Sequence, residues 1–125
     1  MKLIQETYYG IRLVESLGNL NKGEIKSAAQ LSNELGISVK FILKILRRLK
    51  QANILDSYRG ITGGYSMKKK KVSLYEIIEI LQGELYIVNE FKDKKKDNCG
   101  FRNELEKIQK DNIEILKKLE IKKKE

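Results

Sequence analysis

The stretch Ala28–Leu46 leaves a chain like this few ways to fold. Leu31, Leu35, Ile37, Ile42 and Ile45 recur at helical spacing but are split by Gly36, so they predict two short helices sharing one core. Ser27-Ala28-Ala29-Gln30 is a capping box that opens the first helix, since the Ser hydroxyl and the Gln side chain satisfy each other's orphan backbone donors. Small Ser32 lies where the helices approach most closely, Gly36 supplies the turn and Ser38 caps the second helix. Each position has its own steric reason, and together they predict a helix-turn-helix. A generic helical hairpin is the alternative.

Around this unit, Ile4, Tyr8, Ile11, Val14 and Leu17 predict a first helix over Leu3–Leu17, ended by Gly18-Asn19 in the left-handed conformation. A second capping box, Ser73-Leu74-Tyr75-Glu76, opens a helix that turns Ile77, Ile78 and Leu81 inward. Between these lie two short strands, Ile54–Tyr58 and Tyr65–Met67, joined through Arg59-Gly60-Ile61-Thr62-Gly63-Gly64, where glycines tolerate a tight hairpin tip. Strand, glycine turn and strand directly after a helix pair make a wing. The chain has no proline and no internal repeat. The runs Lys68–Lys71 and Lys92–Lys96 read as a solvated turn and linker.

With 125 residues, 41% of them hydrophobic and 34% charged, the composition suits one folded domain plus an appendage. No apolar run reaches the roughly 20 residues of a membrane span. The start lacks a secretory apolar region, and the single cysteine, Cys99, allows no intramolecular disulfide; the expected compartment is the cytoplasm. The net charge is +9. Residues 1–71 hold 14 Lys/Arg against 5 Asp/Glu, whereas residues 72–125 hold 12 of each. The whole surplus lies beside the helix pair, as a polyanion-binding surface requires. A compositional lysine bias, 21 Lys to 5 Arg, is the competing explanation.

If Ser38–Gln51 enters a major groove, its outward face carries Val39, Lys40, Leu43, Lys44 and Arg47. Ser38, Val39, Lys40 and Lys44, in the first two turns, are the candidates for base edges, while Arg47, Arg48 and Lys50 are placed for phosphates. Phe41 is expected to pack against a neighbour and Leu43 to touch a thymine methyl. Arg59, at the hairpin tip, suits a narrow minor groove where negative potential is focused.

The order of Leu31…Leu35-Gly36-Ile37-Ser38, Leu46…Leu49…Ile54-Leu55, Arg59-Gly60-x-x-Gly63-Gly64-Tyr65 and Ser73-Leu74…Ile77-Ile78 resembles the Rrf2 family of bacterial winged helix-turn-helix regulators over almost the whole chain. The resemblance implies a mainly α fold with a small β-wing and a long C-terminal dimerisation helix. It implies that Ser38–Lys44 read the major groove, that Arg59 with Gly60, Gly63 and Gly64 forms the minor-groove wing, and that Tyr65 braces it. Ile61-Thr62 stands where the family often has Pro-Gly.

Phe101, Leu105, Ile108, Asn112, Ile115 and Leu119 are spaced 4, 3, 4, 3 and 4, a heptad seam on a helix about 30 Å long. Ile113 and Leu116 widen the apolar face, so the helix is expected to pack on a partner copy and on its own first helix. A homodimer matches paired half-sites in a palindromic duplex. Asn112 would fix register within the seam, the alternative being a solvated Asn and an intramolecular helix.

Iron–sulfur members of the family carry three cysteines before the long helix. Here only Cys99 stands there, Arg102 occupies the place of a histidine ligand, and Tyr8, with Glu6 close by, occupies the place of a borrowed carboxylate. A cluster needs about four ligands, mostly thiolates, and Glu90, Asp93 and Asp97 are poor substitutes, so no cofactor is expected, a cluster held by such ligands being the disfavoured alternative. Cys99, near a helix N-terminus and Lys94–Lys96, is instead the sensor candidate for redox or thiol signals, the alternatives being a remnant of an ancestral cluster site and regulation through a protein partner or small ligand. The division expected is a winged helix-turn-helix domain over 1–83, a linker or sensor loop over 84–100 and a dimerisation helix and tail over 101–125. The function expected is a sequence-specific transcriptional regulator, a repressor acting as a homodimer. An architectural DNA binder without an operator is the second reading and an RNA-binding winged helix a third. With no histidine, nucleophile elbow or phosphate loop, the chain does not read as an enzyme.

Overall fold

The computed structural model describes residues 2–87 and 99–125. Helix α1 (Gln5–Gly18) leads to α2 (Ala28–Leu35) and α3 (Val39–Gln51). The wing strands β1 (Leu55–Tyr58) and β2 (Gly64–Met67) follow, then β3 (Lys71–Ser73), α4 (Leu74–Gln82), the long α5 (Arg102–Lys118) and β4 (Glu120–Lys122). β1 and β2 pair antiparallel with Leu55 opposite Met67 and Tyr58 opposite Gly64, and β3 pairs antiparallel with β4.

Both predicted capping boxes are present, at Ser27/Gln30 and Ser73/Glu76. Gly36 adopts φ 72°, a left-handed conformation that costs glycine little, and Ser38 Oγ accepts the Phe41 N–H at 3.2 Å. Ser32 Oγ donates to the Ile37 carbonyl across the turn. Leu31, Ile42, Ile45, Leu46 and Leu49 are fully buried and Leu35 nearly so. Each such burial stabilises the fold by about 1.5–3 kcal/mol relative to exposure.

The first helix turns Val14 and Leu17 inward as expected, with Ile11 packed against the core, but its first two turns differ. Thr7, Gly10, Leu13, Val14 and Leu17 are buried, whereas Ile4 and Tyr8 are exposed. Gly10 decides the register. A Cβ there would stand 2.2 Å from Leu81 Cδ1, so α1 and α4 cross at this glycine. The helix does not end in a left-handed residue either: Asn19 has φ −84°. Gly18 stays helical because the tail lies against it, with Ile121 Cγ2 only 3.2 Å from where its Cβ would be.

Thr7 Oγ1 is buried without a hydrogen-bond partner among the described residues. Thr7→Val keeps the shape and removes the orphan hydroxyl, so it is expected to raise stability by about 1 kcal/mol. Denaturant unfolding would measure this, and an unchanged or lower stability would contradict it.

Ser16, Lys26 and Glu34 tie α1 and α2 to the root of the wing. Lys26 Nζ donates to Glu34 Oε2 at 2.6 Å and to Ser16 Oγ at 2.9 Å, and Ser16 Oγ donates to Glu34 Oε1 at 2.8 Å. The Lys26 hydrogen bond, supported by Ser16 and opposed by burial, holds the Glu34 carboxyl below the usual range. A lowered carboxylate pKa contributes stability above its unfolded value and loses it as pH falls through the folded one. The stability advantage of the native chain over Glu34→Gln should therefore shrink as pH falls below about 4. Parallel pH profiles would contradict it.

Two features of the C-terminal part depart from the sequence reading. α5 packs mainly on α4 and β3 rather than on α1, and Ile87 N–H donates to Gln109 Oε1 at 2.6 Å. The tail then returns as β4, which the sequence reading did not include. Ile121 joins the edge of the core, and Lys123 and Lys124 N–H groups donate to Lys70 and Gly18 carbonyls, each at 2.8 Å. A three-residue strand beside a lysine run carries no readable alternation.

Candidate DNA interface

α3 has two opposed faces. Ile42, Ile45, Leu46 and Leu49 fill the core, while Val39, Lys40, Leu43, Lys44 and Arg47 are exposed on the other side with Ser38 at the cap. Phe41 is half-buried and packs edge-on against Tyr9, ring centroids 6.1 Å apart at 89°, as expected for an aromatic at the margin of a wet face. Val39 and Leu43, 41% and 40% exposed, leave apolar patches between the cations, suited to thymine methyls.

Arg48 does not join that surface, and its assignment to phosphate is corrected. Its Nη1 donates to Glu6 Oε1 at 3.1 Å and to the Leu81 carbonyl at 3.0 Å, and its Nη2 donates to the Ile80 carbonyl at 2.6 Å. It thereby satisfies last-turn carbonyls of α4 and anchors α1. Lys44 also faces Glu6, but at 3.7 Å and with its side chain 65% exposed, so it remains available to a duplex. Sequence reasoning missed this role of Glu6, because no local pattern links residues 6 and 48.

The wing carries Arg59, Gly60, Ile61 and Thr62 on its exposed tip, closed by a Gly63 N–H to Gly60 carbonyl bond of 3.0 Å. Ile61, where the family often has proline or glycine, is fully exposed. Gly63 and Gly64 act sterically. A Cβ on Gly63 would stand 2.2 Å from the Tyr58 carbonyl oxygen, and one on Gly64 2.6 Å from that of Lys26. Gly64 is buried and Tyr65 half-buried, so these two shape the wing from within rather than presenting a surface. Tyr65 braces it through a two-way backbone bridge with Lys26, at 2.7 and 3.0 Å.

α5 has no fully buried residue. Of the heptad positions, Phe101, Ile108, Ile115 and Leu119 are 71%, 50%, 56% and 48% exposed, while Leu105 and Asn112 are half-buried. Cys99 is exposed, and its carbonyl accepts the Arg102 N–H at 3.3 Å. Glu90, Asp93, Asp97 and the run Lys92–Lys96 lie outside the described residues.

A family profile described as an iron-dependent transcriptional regulator matches residues 3–123. The chain belongs to the Rrf2 family. The Rrf2 chain is 28% identical over 101 residues to the HTH-type transcriptional regulator NsrR of Bacillus subtilis (strain 168), covering 79% of this chain and 68% of that one. Its fold is that of CymR, the global cysteine regulator of B. subtilis (TM-score 0.81, 19% identity, 97% and 93% of the two chains), and of the oxidized form of Staphylococcus aureus CymR (TM-score 0.80, 20% identity, 97% and 93%). This Rrf2 protein is a DNA-binding transcriptional regulator with a winged-helix fold.

Its donor set does not fit an iron–sulfur cluster, despite the iron in the family's description. The sequence holds one cysteine and no histidine, against the four mostly thiolate ligands such a cluster needs. Among the described residues, no three of Cys, His, Asp or Glu stand together where they could hold a metal. Nor is any helix among them long and apolar enough to cross a membrane.

Proposed function

We propose that this Rrf2 protein is a cytoplasmic homodimeric repressor that reads a palindromic operator through α3 and the wing. The observation that carries the reading is the division of α3: one face buried in the core, the other exposing Lys40, Lys44 and Arg47 beside apolar Val39 and Leu43. Ser38, Val39, Lys40 and Lys44 meet base edges and Arg47 meets phosphate, because the first turns of a recognition helix lie deepest in the major groove. Arg59 and Gly60 enter the adjoining minor groove, held there by Gly63, Gly64 and Tyr65. Residues 1–83 carry the DNA contacts, 84–100 link and sense, and 101–125 join two copies through the face of Phe101, Leu105, Ile108, Asn112, Ile115 and Leu119. Footprinting on duplexes selected from a randomised pool tests this: one protected palindrome is expected, and uniform coverage would favour an architectural binder instead.

No iron–sulfur cluster takes part in this reading. The signal enters at Cys99, whose thiol is exposed beside the start of the dimer helix. Peroxide is expected to change the duplex affinity of the native protein and not that of Cys99→Ser. Equal responses would remove the thiol from the account.

A further inference from the structure

A cavity of about 460 Å³ lies under the wing, within the range of small-molecule sites. Its walls come from three segments far apart in sequence: the loop after α1, the hairpin, and Lys123 just past β4. Its apolar wall is Leu20 and Ile25, both half-buried, and the half-exposed ring of Tyr58, with Leu17 and Met67 buried behind them. Arg59 and Lys123 stand on the rim, and neither has an ion-pair partner among the described residues. Glu24 is the acidic group of the lining, its Oε1 accepting the Asn21 N–H of its own loop at 3.1 Å, so the two cations leave the lining with a net positive charge. The walls are fixed in advance by backbone bonds: Glu24 N–H to Asn21 carbonyl at 3.0 Å, the Lys26–Tyr65 bridge, and Lys123 N–H to Lys70 carbonyl at 2.8 Å.

An apolar wall below two cations selects a class of ligand. A neutral apolar molecule would leave both cations without a partner, and an inorganic anion would leave Leu20, Ile25 and Tyr58 facing water. We propose that this cavity is an effector site for an organic carboxylate with an aliphatic body, which engages Arg59 and Lys123 and so competes with the duplex for the wing. Binding of the anion stands on the cavity alone, whereas its effect on DNA rests on the reading of Arg59 given above. Because one arginine serves both ligands, duplex and carboxylate weaken each other by the same factor.

The test uses the full chain, with octanoate as probe, octanamide as the neutral analogue and inorganic phosphate as the anion without a body. Octanoate is expected to shift the amide NMR signals of Leu20, Glu24, Arg59, Met67 and Lys123 and to weaken duplex binding about tenfold, with the two controls doing neither. Lys123→Ala removes one rim cation, and Ser66→Phe fills the cavity from β2 while leaving Arg59 in place. Both variants should bind duplex like the native chain but lose the octanoate response. Octanoate shifts confined to other residues, an undiminished response in both variants, or no binding at millimolar octanoate would overturn the proposal. A chain that takes up octanoate at these residues yet never binds duplex would support the site and contradict the DNA reading instead.

Discussion

Replacing Ile108 and Ile115 together by aspartate is expected to turn the protein into a monomer and to weaken operator binding by about a hundredfold or more. Both side chains are about half exposed on α5, and that helix buries no residue completely within its own chain. A 17-residue helix with such a face leaves apolar surface in water that a second copy would cover. Aspartates on that face would put four like charges into the shared seam, while each protomer keeps its core and its contact with α4. The loss in DNA affinity then follows from geometry. Two linked half-site contacts gain an effective concentration that a monomer forfeits, typically a factor of about 10²–10⁴. Sedimentation equilibrium and duplex titration measure the two effects separately. A variant that stays dimeric would show that α5 is not the seam, and a monomer of undiminished affinity would show that pairing is not used on DNA.

Arg47 and Arg48, adjacent in sequence, are expected to fail in opposite ways. Among the described residues, Arg48→Ala leaves Glu6, whose side chain is 12% exposed, with only the distant Lys44, and strips the Ile80 and Leu81 carbonyls of their Arg48 donors. Breaking such a partly buried network is expected to lower stability by about 2 kcal/mol. Arg47→Ala touches only an exposed side chain, so stability should change by no more than about 0.5 kcal/mol. Its cost appears on DNA instead, as a several-fold loss of affinity and a salt-dependence slope reduced by about 1. Chemical denaturation and duplex titration at several salt concentrations distinguish them. The reverse pattern would mean that the two faces of α3 are assigned wrongly.

These two arginines also show what a sequence can and cannot carry. The helix pair was legible because its determinants are local: Ser27 and Gln30 are three residues apart, and Gly36 and Ser38 act on their own backbones. The wing was legible for the same reason at Gly63, which the nearby Tyr58 carbonyl requires, whereas the need for Gly64 comes from the Lys26 carbonyl, which only the folded chain brings near it. Val14 and Leu17 of α1 were placed inward correctly, but its first two turns were misread because apolar spacing favoured Ile4 and Tyr8, whereas the small residues Thr7 and Gly10 let α4 approach. Arg48 was misplaced because its partners, Glu6, Ile80 and Leu81, lie 42, 32 and 33 residues away. The return of the tail as β4 depends on Lys70 and Gly18 carbonyls that only the folded chain brings near it. Chemistry held within one or two turns was readable, and chemistry assembled across the fold was not.

The most direct test of the account is the affinity of a Lys40→Ala, Lys44→Ala, Arg59→Ala triple variant for its selected operator, measured beside a scrambled duplex. With the core and the α5 face untouched, the variant should remain folded and dimeric. It should lose at least about a hundredfold in operator affinity, since each good base contact is worth about 1–3 kcal/mol of discrimination. An operator preference that survives the three substitutions unchanged would contradict the claim that α3 and the wing read the duplex.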